Sequence, residues 1–516
     1  MGTGVRKWWA LVGVSLAVVA VGLDSTVLNV ALPTLAAALH ASESDLQWFS
    51  SGYFLVLAAA MLPAGLLGDR YGRKKVLLGG LALFGCGSGL SAYSTTVAQF
   101  LVARALLGVS GAAIVVMAIS SLTVLFSTAE RPRAVGVWAL ANFLAMPLGP
   151  ILGGWLLTRY WWGSVFLVNV PVVAVGLVAT AALVPESRAL VRPGVDPVGV
   201  LASTAGLVTV TYGLIGAGRD GWWSPGALGS IGLGVGMLAG FFAWERRLTR
   251  RPGGQPVLDL TLFRSASFTW GAILTAVAVL SMIGVLFTMP QFFQGVQGAD
   301  AMGSGVRLLP LVAGLVAGAV PADRLVRRVS ATFVAAGGFA LLAIGLWSAS
   351  RTTVNASSIT VAAWMAVVGA GVGLAMATAS SAALVQLSEE RSGVGSAVLQ
   401  AVNKVGGPFG TAILGSVLSA GYLAHLDVAS LPAHAAATVR QSVFGGLAVA
   451  RSTGSVTLLH SVRAAFVRGM DGALVVSAAI ALAGMILALI YLPRMNVVEP
   501  PGQDARGKER EVVGSD

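Results

Sequence analysis

Asp24 is a carboxylic acid set well inside a long apolar run, in Leu23-Asp24-Ser25-Thr26-Val27-Leu28-Asn29-Val30-Ala31-Leu32-Pro33. An ionisable group at mid-helix depth costs ~2.5–3.5 kcal/mol on membrane-insertion scales, so a chain that keeps one there uses it for proton or ion traffic. Arg104, in Arg104-x-x-Leu107-Gly108-x-Ser110-Gly111-Ala112, is a second charge of this kind. An acid and a guanidinium that meet and separate would bind and release a proton in turn. Lys404 is the third, beside Asn403 and close to Gly406-Gly407-Pro408. At 1.5 Å per residue it lies ~16 Å into its helix, and two readings stay open for it: a structural cation paired to a carbonyl or polar side chain, or a cation facing a substrate. Asn29, Asn142 and Asn403 are the amides placed to share such a site.

The elements that must position these groups are membrane helices. Of 516 residues, 56% are hydrophobic and only 10% charged, and apolar runs recur from Trp8 almost to the C-terminus. One soluble core could not bury that much apolar surface, so the composition predicts an all-α polytopic membrane protein surrounded by lipid. The net charge of +12 raises the question of nucleic acid. No basic stripe with interleaved aromatics answers it, and the cations fall in short loops, so no nucleic-acid partner is expected. Cys86 is the single cysteine, which excludes an intramolecular disulfide and leaves no metal-ligand spacing. His425, His434 and His460 read as solvated surface for the same reason. Arg6 and Lys7 ahead of an apolar run, with Ala36 and Ala38 beyond it, also fit a cleavable signal peptide. The run from Trp8 to Val30 exceeds the ~20 residues a span requires, and the span is the expectation.

Apolar runs bounded by charges and turn residues give fourteen spans, near 8–30, 46–67, 76–93, 98–122, 134–157, 163–184, 198–217, 226–244, 268–290, 304–320, 331–348, 357–385, 394–419 and 470–492. Alternate loops differ in charge: one side carries Arg6, Lys7, Arg73, Lys74, Lys75, Arg246, Arg247, Arg327 and Arg328, the other little more than Arg159, Arg219 and a few arginines in a long loop. By the positive-inside rule both termini are cytoplasmic in a multi-pass protein of the cell inner (plasma) membrane. On this layout Asp24 lies about 24 Å from the inner end at Trp8 and Arg104 about 9 Å from the outer end near Ala98. In a core about 30 Å thick both fall in the outer third. The alternative is that Arg104 only snorkels to the outer interface. Residues 256–264 read as a short amphipathic helix on the inner surface, and a loop over 421–468 lies outside. The tail 496–516 is polar and reads as disordered.

Two stretches recur. Asp69-Arg70 is followed after two residues by Arg73-Lys74, and Asp323-Arg324 by Arg327-Arg328. Asn142, Pro147, Gly149 and Gly154 align without gaps on Asn403, Pro408, Gly410 and Gly415. The shift is eight spans. It implies a six-helix bundle over 1–185, two added helices over 196–245 and a second bundle over 256–495, the duplicated arrangement of secondary transporters.

Gly65-x-Leu67-Gly68-Asp69-Arg70-x-Gly72-Arg73-Lys74-x-x-Leu77 matches in full the loop signature of the major facilitator superfamily. The Leu23–Pro33 motif, Gln47-Trp48 and Tyr53 resemble its fourteen-span drug:proton antiporters, the EmrB/QacA type. In the fifth span, Ala145-Met146-Pro147-Leu148-Gly149-Pro150-Ile151-Leu152-Gly153-Gly154 resembles the antiporter motif, with Ala145 where glycine is usual. The resemblance implies the major facilitator fold and a monomeric, proton-gradient-driven exporter with no cofactor. Its substrate would be a lipophilic small molecule, such as a drug or an antibiotic exported for self-resistance. It gives Asp24 and Arg104 the proton, although Leu107 stands where a glutamine is common. It makes Gly65, Gly68, Asp69, Arg70, Gly72 and Arg73 a gate, with Asp69 and Arg70 able to pair across the helix junction, and it has Pro147, Gly149, Pro150, Gly153 and Gly154 seal the cavity. Alternatives are an importer, or an exporter of a non-drug metabolite, on the same fold. An enzyme or sensor lacks support: no Ser/His/Asp set, HExxH, nucleotide-binding glycine loop or output domain accompanies the spans. With no membrane acid expected in the second half, the substrate should be neutral, weakly acidic or at most monocationic.

Overall fold

Lipid offers no partner for a backbone N–H or C=O, so a long apolar segment must satisfy its own hydrogen bonds, and a helix does so. The computed structural model describes residues 3–127, 130–188, 196–251, 258, 260–385, 389–428 and 431–493. Among these the regular elements are helices: α1 Thr3–Ala38, α2 Glu43–Tyr71, α3 Arg73–Ala92, α4 Val97–Leu125, α5 Arg131–Arg159, α6 Ser164–Leu167 and α7 Asn169–Leu183. Next come α8 Pro197–Asp220, α9 Pro225–Arg250, α10 Ala266–Gln291, α11 Ala301–Arg307, α12 Leu309–Ala319 and α13 Ala322–Arg328. The chain ends with α14 Ala331–Ala349, α15 Ser358–Val385, α16 Glu389–His425, α17 Ala433–Gln441, α18 Val443–Thr453 and α19 Val456–Tyr491.

Eleven helices among the described residues are long and apolar enough to cross a bilayer, or twelve if Glu43–Met61 and Pro63–Tyr71, bent by 44°, form one span. That is short of fourteen. The two further segments read from the sequence, α5 and α16, are 29 and 37 residues long, and part of each lies outside the described side chains.

Small residues set the packing, because helices in lipid associate by close approach rather than by apolar exclusion from water. A Cβ on Gly149 would strike Thr26 of α1, and one on Gly410 would come 2.6 Å from Leu280 O of α10. Further along, a Cβ on Gly154 would lie 2.7 Å from Ala301 O of α11, and one on Gly415 2.7 Å from the Gln47 side chain of α2. The aligned glycines thus make matching contacts in swapped partners: α5 packs on α1 and α11, α16 on α10 and α2. α8 lies against α16 and α2, with Ser416 Oγ donating to Leu214 O. α9 is outermost, only 17% of its apolar window being buried against 67% for α1.

Two expectations about connections fail. Residues 258 and 260–264 hold no amphipathic helix, only a 3-10 turn at Leu262–Arg264. Leu262 is buried against Phe268 and Ala272 instead of facing lipid. The 421–468 stretch is not a solvated loop either. α16 continues to His425, α17 and α18 fold over the end of the bundle, and α19 already begins at Val456. Val439, Val443, Leu447 and Val462 are buried there, because an apolar position every three or four residues gives each short helix an inner face. The three histidines remain exposed. The 496–516 tail lies outside the described residues.

Candidate functional site

Asp24 and Arg104 meet. Arg104 Nη1 donates to Asp24 Oδ2 at 2.6 Å, and each residue is 1% exposed. α1 and α4 supply the charges, while α2 and the start of α7 hold them. Asn169 Nδ2 donates to Asp24 Oδ1 at 3.4 Å, Arg104 Nε donates to Phe49 O at 3.2 Å, and the guanidinium lies 4.2 Å from the centre of the Tyr53 ring. Arg104 does not snorkel: its charge is met inside the protein, where the nearest counter-charge is closer than any interface. One hydrogen-bonding position is left over, since Arg104 Nη2 has no partner among the described residues.

A cavity of about 400 Å³ lies on the other side of Tyr53. α1 lines it from Val18 to Asn29, with Trp138 and Ala145 of α5, Met282 of α10, Met376 of α15 and Gln400, Asn403 and Lys404 of α16. Asp24 and Arg104 are not in that lining. Lys404 is, and it is the only charged residue there among the described ones. Its Nζ stands 5.9 Å from the centre of the Phe54 ring and makes no ion pair or hydrogen bond with a described residue. Of the amides singled out in the sequence, Asn29 and Asn403 line the cavity, and Asn403 Oδ1 has no partner among the described residues. The side chains of Asn142 and Pro147 lie outside the described ones.

The cavity is closed on the face opposite the start of α1. Across the two sets of helices, Gln294 Nε2 donates to Val30 O at 3.0 Å, Gln291 Nε2 to Glu43 Oε1 at 3.2 Å and Ser51 Oγ to Pro408 O at 3.3 Å. Gly154 and Pro150 O press against α11 in the same layer, Pro150 O beneath Gly305. Gly153 packs on Val27. On the opposite, near face, Asp69 pairs with Arg73 rather than with Arg70: Arg73 Nε and Nη2 donate to Asp69 Oδ1 at 3.0 and 2.9 Å. Asp69 lies in the last turn of α2 and Arg73 is the first residue of α3, so the pair spans the junction between the two helices. Arg70 lies over the Tyr71 ring. Gly72 turns between the helices at φ +116°, where a side chain would be strained. Gly68 admits Met117 of α4, and Gly65 faces Val116. The related Asp323 is exposed and makes no ion pair among the described residues.

Residues 14–411 match the Major Facilitator Superfamily. The chain belongs to that superfamily. It is 31% identical to the tetracenomycin C resistance and export protein of Streptomyces glaucescens, over 94% of this chain and 91% of that one. It is 32% identical to the multidrug efflux pump LfrA of Mycolicibacterium smegmatis, over 93% and 95%. It is 31% identical to the methyl viologen resistance protein SmvA of Salmonella typhimurium, over 90% and 93%. Among solved structures, a bacterial homolog of the lysosomal transporter Spinster in an inward-facing conformation matches at TM-score 0.67, with 16% identity over 94% of this chain and 97% of that one. The fold is therefore that of a membrane transporter.

Some of this superfamily member's site lay beyond sequence reading. Glu43 is a buried acid, 7% exposed, and Asp471 sits within the α19 span, half-buried with Oδ1 unpartnered among the described residues. The second half therefore does not lack a membrane acid, and the limit on substrate charge drawn from its expected absence falls away. Glu43 was hidden because Ser42 and Asp45 form a capping box around it, the ordinary signature of a helix start. Trp138 and Phe54 carried no signal, since cavity-facing and packing aromatics share the same spacing, and nothing in the spacing set Gln400 apart from a surface amide.

Proposed function

We propose that this protein is a proton-driven exporter of lipophilic small molecules, drugs or antibiotics among them, of the fourteen-span EmrB/QacA type. The observation that carries the reading is a sealed acid–guanidinium pair one side chain away from a mid-depth cavity, in a chain whose relatives are named for efflux and resistance. The near face is taken as cytoplasmic, with both termini there and the protein a monomer in the plasma membrane. The cavity is then in its inward-open state, ready to load cargo. The two bundles, 1–185 and 256–495, rock about it while α8 and α9 ride between them.

Tyr53 is the proposed link, because its ring covers Arg104 and also lines the cavity. Reorientation that draws Arg104 toward Tyr53 and Phe49 O frees Asp24 to accept a proton from outside. Return to the inward state re-forms the pair and drives the proton into the cytoplasm. Exchange of one proton for one monocation is electrically neutral, whereas export of a neutral molecule also gains ~2.3 kcal/mol per 100 mV.

The test is ethidium and N-phenyl-1-naphthylamine export from proteoliposomes under an imposed pH gradient. Wild-type protein should extrude at least one of them with dissipation of the gradient, and Asp24→Asn should abolish the gradient dependence. Full-speed, gradient-driven export by Asp24→Asn refutes the coupling scheme. Substrate-driven uptake in the opposite sense would favour an importer.

A further inference from the structure

Lys404 has no role in the cycle above, yet it stands in the cavity. A cation left in a low-dielectric interior without a counter-charge is costly unless something else supplies one. No described side chain does: the lining holds no carboxylate, and Asp24 is committed to Arg104 at 2.6 Å behind Tyr53. An ammonium is a donor of three hydrogen bonds with no acceptor capacity, and Phe54 at 5.9 Å offers it only a ring face. Asn403 Oδ1 and Trp138 Nε1, on two other lining residues, also lack partners among the described residues. The lining also includes the uncharged polar side chains of Ser25, Thr26, Asn29 and Gln400, and the apolar part includes Met282, Leu286 and Met376 beside the Phe54 ring.

We propose that the cavity recognises an amphiphile bearing an acidic group, whose carboxylate or phenolate sits on Lys404 Nζ while its aromatic body lies against Phe54 and the methionines. The inference rests on the efflux reading and narrows its substrate class. A charge-assisted hydrogen bond from the ammonium would fix the head group. The flexible thioethers would accept bodies of differing shape. A dication would instead enter beside an unpaired like charge and be repelled by it.

A matched series tests this: 1-pyrenebutyrate, 1-pyrenebutanol and 1-pyrenebutylamine differ only in the charge at the chain end. Binding to the full-length protein in nanodiscs is read by fluorescence, with methyl viologen as a competitor. Wild-type protein should bind the butyrate about tenfold more tightly than the butanol, and the amine most weakly. Lys404→Met should remove that tenfold preference and change the butanol by less than about twofold, whereas Lys404→Arg should keep the preference. An amine or methyl viologen that binds wild-type protein as tightly as the butyrate overturns the proposal, as does an unchanged butyrate-to-butanol ratio in Lys404→Met. Export of the same compounds from proteoliposomes separates the two readings. If the binding order holds but no pyrene is exported, the efflux reading fails and this inference stands; if the butanol is exported and the amine binds best, this inference fails alone.

Discussion

The N-terminal helices keep Asp24 and Arg104 together and out of the cavity, while the C-terminal helices leave one cation inside it without a described partner. Asp24 and Arg104 satisfy each other at 2.6 Å with Asn169, Phe49 and Tyr53 around them. Lys404 makes no ion pair or hydrogen bond with a described residue, and its Nζ stands 5.9 Å from the centre of the Phe54 ring. The two regions come from aligned repeats, yet they differ in kind: where α4 carries Arg104, the related region of α15 has the fully buried Met365. A paired charge can be retained for switching, because its partner holds it in one state until something competes. An unpaired charge can only be retained for what comes to it.

That contrast is exposed most directly by removing each cation in turn. Arg104→Met leaves a buried carboxylate uncompensated and should cost about 3–5 kcal/mol in unfolding free energy, read as a lowered unfolding midpoint in detergent. Adding Asp24→Asn should recover much of the loss. Lys404→Met should leave stability unchanged or raise it, since no bond to a described residue is broken and an uncompensated cation is removed. A large loss there would mean Lys404 has a structural partner and would erase the distinction.

A smaller effect is expected where the two sets of helices close the far face. Gly154→Val would push against Ala301 O and Met302 Cα, each 2.7 Å from an added Cβ, at a cost of about 1–3 kcal/mol to that closed layer. After Cys86→Ser, an Asn29→Cys reporter in the cavity should then be labelled several-fold faster from the far side. Glu43→Ala, which deletes the bond to Gln291, should act in the same direction by about 1 kcal/mol. Unchanged labelling in both would show that these contacts do not hold the face shut.

The smallest effect belongs to the near-face strut between α1 and the start of α5. Lys7 Nζ donates to Glu130 Oε1 at 2.5 Å, and this bond, with those from Ser127, holds the Glu130 carboxyl below its usual range. A depressed carboxylate stabilises the folded form above its unfolded-state value, and that contribution is lost as pH falls through the folded value. Glu130→Gln should therefore match wild-type stability in acid and differ slightly at neutral pH. The difference should shrink in high salt because the pair is partly open to solvent. A gap that persists at low pH would assign Glu130 another partner.

The helices, the repeats and the three buried charges were legible in the chain because lipid imposes one solution on an apolar run and makes each exception conspicuous. Glycine spacing likewise marked where α5 and α16 must touch neighbours. Spacing did not reveal which neighbours those were. Asp69 met Arg73 rather than Arg70 across the turn at Gly72, and the stretch after His425 folded into a cap because its own short apolar faces found each other. Glu43 looked like a helix cap until α10 came across to bury it.

The sequence by itself determined that charges would lie at membrane depth and on which helices. Only the tertiary structure decided that Asp24 meets Arg104, that Tyr53 stands between that pair and the cavity, and that Lys404 meets no described partner. The reason is physical: the energy of inserting a charge depends on its own segment, whereas its pairing depends on distances between helices that are tens to hundreds of residues apart in the chain and only ångströms apart in the fold.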